Sequence, residues 1–138
     1  MQTPYQPSGF DSRNRQGAVL VELALCLPIL LLLTFAAIEA SNAIVLKQTL
    51  VETAYETARI ATTQGHSQSD ALQRANEILS ARKIANAEIE IEPAVTPTTP
   101  AGTTISVIIS APAASNSVGP HWYFRNSTMS ARVVMSRM

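Results

Sequence analysis

The sequence predicts an α+β fold: a long N-terminal helix, a short second helix and a small antiparallel sheet. Three observations carry this. An apolar run extends from Ala18 to Ile38, helical spacing continues beyond it to Thr63, and at Ala87 the period changes from about 3.6 to 2. The chain has 138 residues, the length of one domain, with formal net charge 0 and 14% charged residues. That charged fraction is well below the usual value of about 25%, and a neutral balance gives no whole-chain reason to expect binding to nucleic acid or anionic membrane surfaces. One cysteine, Cys26, excludes an intrachain disulfide and a cysteine zinc cluster.

The run AVLVELALCLPILLLLTFAAI holds one charge, Glu22, in 21 residues. A helix of that length spans about 31 Å at roughly 1.5 Å per residue, close to the hydrocarbon thickness of a bilayer. It is apolar on every face, unlike an amphipathic surface helix. A cleaved secretory signal has an apolar core of only about 7–15 residues. Its exit here would be Ile38-Glu39-Ala40 before Ser41, which puts a bulky residue where a small one is preferred. A soluble domain with so little other apolar sequence would hardly cover such a helix. The run therefore reads as a retained membrane helix. Arg13 and Arg15 precede it and Lys47 is the first lysine after it, a bias toward a cytoplasmic N-terminus. Pro28 removes one backbone donor and is expected to kink the helix near Ala24–Leu27.

Ahead of the run, MQTPYQPSGFDSRNRQ has two prolines and no period, and no structure of its own is expected there. After it, Val51, Ala54, Tyr55, Ala58 and Ala61 make an apolar stripe opposite Gln48, Glu52, Glu56, Arg59 and Thr63. Glu56 and Arg59 are spaced for a weak surface pair. One rod is expected to run to a stop at Gly65. A second helix comes next, with Asp70 as its cap, Gln73 at the third helical position, and Leu72, Ala75, Ile78 and Leu79 on its apolar face. It ends near Arg82-Lys83, where cations favour a C-terminus.

Ala87 to Glu92 alternates strictly and reads as a strand with one solvated face. Pro93, Pro97, Pro100 and Gly102 mark a connection. Thr104–Ser110 and Ser130–Met135 are the second and third strands. The aromatic cluster Trp122-Tyr123-Phe124 between them is expected to pin a long loop to a small core.

No catalytic constellation emerges. His66 and His121 lie in polar turns without a placed thiol or carboxylate partner, and Cys26 lies among leucines, where a thiol packs rather than reacts. There is no phosphate loop, dinucleotide fingerprint or helical HExxH. Asn126-Ser127-Thr128 matches a glycosylation acceptor, a motif too short to be specific. These observations predict no enzyme, no cofactor, no metal site and no small-molecule substrate.

A carboxylate inside a bilayer costs a few kcal/mol on insertion scales, about 2–3. Glu22 either lies near the cytoplasmic edge and snorkels to water, or it has a partner. The string Arg15-Gln16-Gly17-Ala18-Val19-Leu20-Val21-Glu22 resembles the leader junction of type IV prepilins. The wider pattern runs from Gly17 through Leu25, then Leu27-Pro28 with a leucine run, then Ile38-Glu39. It resembles the N-terminal segment of the TadE-like family, pilin-like minor components of the tight-adherence (Tad, Flp) pilus secretion system. Thr57-Ala58-Arg59 resembles that family's Gly-Ala-Arg, with Thr57 in the glycine position.

The resemblance implies a pilin-like fold, a cytoplasmic leader over 1–17 and a transmembrane helix over 18–64 that continues outside the membrane. An extracytoplasmic α+β module covers 65–138. It implies cleavage between Gly17 and Ala18 by a prepilin peptidase and residence in the bacterial cytoplasmic (inner) membrane. It also implies an assembly role for Glu22, pairing with the Ala18 amine of its own or a neighbouring pilin-like subunit. Two alternatives stay open: a bitopic envelope protein whose external module binds a partner, and a secreted chain beginning near Ser41.

Overall fold

A computed structural model describes residues 11–119 and 122–138, the side chains of 11–15 excepted. The elements are helices α1 (Asp11–Thr62) and α2 (Gln68–Ala81) and strands β1 (Glu88–Glu92), β2 (Thr104–Pro112) and β3 (Thr128–Ser136), with a 3-10 turn at Ala114–Asn116. This is the α+β arrangement and element order that the sequence predicts. The first ten residues of the expected leader, and His121, lie outside the described residues.

Helix α1 already includes Asp11, ahead of the apolar run, so the last part of the segment expected to be unstructured is helical. Asp11 to Gln16 contains neither proline nor glycine, so nothing local breaks the helix there.

The chain divides into two compact units, one ending at Ala37 and one spanning Ile38–Met138. In the first unit, residues 16–34 are all exposed. Among the described residues, α1 is the one helix long and apolar enough to cross a membrane. The helix runs unbroken through Pro28. Thr34 gives its hydroxyl hydrogen to the Leu30 carbonyl, 2.8 Å away, so this polar group is satisfied within the helix, as an apolar surrounding requires.

The second unit is built on a three-stranded antiparallel sheet in the order β1-β2-β3. The register sets Ile89 against Ile109 and Ile91 against Val107 on one side of β2. On the other side Ile109 meets Ala131 and Val107 meets Val133. Alternation along β2 buries Ile105, Val107, Ile109 and Ala111, and these join Leu46, Leu50, Ala54, Ala58 and Ala61 of α1 and Ala71, Ala75 and Leu79 of α2 in one core. The glutamates of β1 are exposed, as strict alternation predicts.

The buried face of α1 differs from the expected stripe. Val51 and Tyr55 are exposed, while Thr49, Thr53 and Thr57 are buried beside the alanines. Each threonine hydroxyl donates to the carbonyl four residues earlier: Thr49 to Val45 (3.0 Å), Thr53 to Thr49 (2.8 Å) and Thr57 to Thr53 (2.7 Å). A hydroxyl satisfied in this way is buried at little cost. The small Thr and Ala side chains fill the buried face of α1, and the bulkier Val51 and Tyr55 remain outside.

Helix α2 begins one turn earlier than its expected cap. Ser67 is the N-cap, and Asp70 is the third helical residue. The Asp70 carboxylate accepts the Ser67 backbone N–H (2.8 Å) and hydroxyl (2.9 Å), the reciprocal contact of a capping box. These two hydrogen bonds, the backbone one first, hold the Asp70 carboxyl below the ordinary carboxylate range, helped by His66. Arg82 closes the helix and meets Glu52 of α1 at 2.8 Å, and Glu56 meets Arg59 at 3.8 Å. Such exposed pairs are worth at most about 1 kcal/mol.

Candidate assembly and processing site

Gly17 and Ala18 lie within α1, upstream of the apolar run's leucines, and both are exposed. A Cβ built on Gly17 would meet nothing within 4 Å, so packing does not call for glycine there. Glycine in a helix interior costs roughly 0.5–1 kcal/mol relative to alanine, and the helix accepts that cost with no local return. Glu22 is four residues beyond Ala18 and is also exposed. Residues i and i+4 share a helix face, so α1 brings the two onto one side, separated by about 6 Å of rise. Cys26 and Pro28 lie further along the same exposed segment.

A second carboxylate on α1 has very different surroundings. Glu39, immediately past the apolar run, is buried, and its Oε1 accepts the backbone N–H groups of Tyr123 and Phe124, each at 2.7 Å. One turn further, Asn42 Nδ2 donates to the Val118 carbonyl at 2.8 Å. Hydrogen bonds to a charged acceptor are short and about twice as strong as neutral ones, so Glu39 holds the segment between β2 and β3 to the helix. The Ile38-Glu39 motif gives Glu39 no role. Its partners are main-chain groups 84 and 85 residues away, which no spacing rule reveals.

The aromatic cluster is only partly the expected pin. Phe124 packs on the core and meets Tyr123 edge to face at 5.3 Å. Trp122 and Tyr123 are 67% and 84% exposed, because the loop is held through its main chain and their rings are not needed inside.

The far end of α1 is held by Arg137, another buried charge. Its guanidinium donates to the carbonyls of Ala61 (3.0 Å), His66 (3.4 Å) and Pro97 (3.5 Å). A cation at a helix C-terminus is favoured by the unpaired carbonyls there. His66 itself is half exposed, 3.6 Å from Asp70.

Glu39 and Glu22 therefore differ in kind: Glu39 is consumed by the fold, and Glu22 stands exposed on the apolar segment of α1. No curated protein and no solved structure matches the chain. Residues 17–59, which hold Gly17, Ala18, Glu22, Pro28, Glu39 and Thr57-Ala58-Arg59, match the model of the TadE-like protein family, a family of Tad pilus components and the one that the sequence motifs resemble.

Proposed function

We propose that this chain is a non-enzymatic, pilin-like membrane subunit of a Tad/Flp-type pilus assembly and secretion system. It is matured by a prepilin peptidase between Gly17 and Ala18 and packed through α1 against other pilin-like subunits. The family match over 17–59 carries the reading. In this reading the N-terminus is cytoplasmic, the apolar run crosses the inner membrane, and the sheet-bearing unit is extracytoplasmic. Gly17, which packing does not require, supplies the small residue and the weakened helical turn at the bond to be cut. Cleavage leaves an amine on Ala18 beside or opposite Glu22, and the pair offsets the burial of both charges. Along the outer part of α1, Ile44, Val51 and Tyr55 are exposed, an apolar stripe suited to a neighbouring helix.

Burial of Glu39 weighs against the secreted alternative. A chain beginning at Ser41 would lack the carboxylate that holds Tyr123 and Phe124. The test is N-terminal sequencing and intact mass of the membrane-fraction protein in cells carrying the peptidase. The mature chain should begin at Ala18, and Gly17→Leu should remain full length, because a bulky residue does not fit at the scissile position. Full 138-residue mass for both proteins would falsify processing.

A further inference from the structure

The segment between β2 and β3 is tied to one short stretch of α1. Val118 accepts from Asn42, a Cβ on Gly119 would lie 3.8 Å from Ile38 Cγ2, and Tyr123 and Phe124 donate to Glu39. Residues 38–42 are those at which the apolar run ends. Held there are Val118, Trp122 and Tyr123, exposed at 82%, 67% and 84%, with exposed Arg125 next in sequence but one.

Because Glu39 holds this loop through main-chain N–H groups, three large side chains stand exposed beside the buried carboxylate. Trp and Tyr prefer the headgroup level of a bilayer, where the ring is apolar on one side and its N–H or O–H is wet. A helix of about 21 residues fills the hydrocarbon thickness, so the headgroup level is where Ile38 to Asn42 emerge.

We propose that Val118, Trp122 and Tyr123 form a membrane-interface anchor, entering the headgroup region of the leaflet from which α1 emerges, with Arg125 on lipid phosphates. The clamp from Glu39 sets their depth: it fixes the main chain against the helix while the side chains reach outward to lipid. The inference rests on the membrane-spanning part of the proposed function and not on cleavage or pilus assembly.

Trp122 is the chain's one tryptophan and Cys26 its one cysteine, so each position reports without labelling. The full chain is placed in nanodiscs of phosphatidylethanolamine and phosphatidylglycerol, open to solvent on both faces. Protection of Cys26 from a charged maleimide reports insertion of α1. Trp122 emission should shift to shorter wavelength than in denaturant. It should be quenched several-fold more by lipids brominated near the glycerol end of the acyl chain than by lipids brominated near the terminal methyl, and weakly by iodide. If Cys26 is protected while Trp122 shows the emission of a wet indole, iodide quenching and no bromolipid quenching, the anchor is overturned and the membrane helix stands. A reactive Cys26 overturns both. If Trp122 is shielded from both quenchers, and more so with more chains per disc, a second copy covers these residues, which also overturns the anchor.

Discussion

Glu22 and Glu39 lie on one helix, the first exposed in an apolar segment and the second buried against main-chain donors. If Glu22 pairs with the Ala18 amine of an adjacent subunit, Glu22→Val should insert at least as well as wild type, relieving about 2–3 kcal/mol of transfer cost. It should fail in assembly, because an amine without its counter-ion loses on the order of 3–5 kcal/mol. Crosslinking to other pilin-like subunits, in strains with normal membrane levels of the variant, checks this; wild-type crosslinking would favour a carboxylate that snorkels. Glu39→Ala should instead act on the fold. Losing two hydrogen bonds to a charged acceptor should cost about 3–6 kcal/mol, and amide exchange should accelerate at Tyr123 and Phe124 ahead of the sheet. The sequence shows Glu22 because a charge inside an apolar run is anomalous by itself. Glu39 stands at the edge of that run, where a carboxylate is ordinary, and its partners are backbone groups that any residue at 123 and 124 would supply.

The elements were legible where period and composition act locally, and misread where packing decides. The strands come from alternation, which puts Ile89, Ile91, Ile105, Val107 and Ile109 inward whatever their partners. The buried face of α1 could not be had this way, because threonine counts as polar in any apolar-stripe reading while a hydroxyl bonded to its own helix does not. The full burial of Ala58 gives Ala58→Leu a clear expectation: overpacking should destabilise by about 1–3 kcal/mol, read as a lowered midpoint in thermal unfolding. Asp70 at the start of α2 gives a pH signature. Its carboxyl is held below the ordinary range by the Ser67 N–H and hydroxyl, so the folded state binds this proton less readily than the unfolded chain. The stabilisation is therefore present above the ordinary carboxylate value of about 3.9 and is lost as pH falls through the lower folded value. Asp70→Asn should lower the thermal midpoint at neutral pH, and the gap from wild type should close in acid. A constant gap down to the acid limit would mean that the charge does not act in this cap.

For the whole molecule, the long apolar helix and the later change of period pointed to the fold class, and the length of chain beyond the run implied one exterior module. Protease added to spheroplasts should degrade the chain from about Ser41 onward and spare the leader; loss of the sheet only when protease enters from the cytoplasmic side would invert the orientation. The sheet's outer strand bears on how such a molecule can associate. In β1, Glu88, Glu90 and Glu92 are exposed, and an antiparallel pairing of two copies centred on Glu90 would set Glu90 against Glu90 and Glu88 against Glu92. Like charges directly opposite destabilise a strand pair, and charged edges block edge-to-edge growth. On the other outer strand, Lys47 of α1 occupies the Ser130 carbonyl. Sheet-to-sheet extension of the amyloid or strand-donation kind is thus disfavoured along the β1 margin, so that crowding these molecules together brings helices into contact more readily than this strand edge.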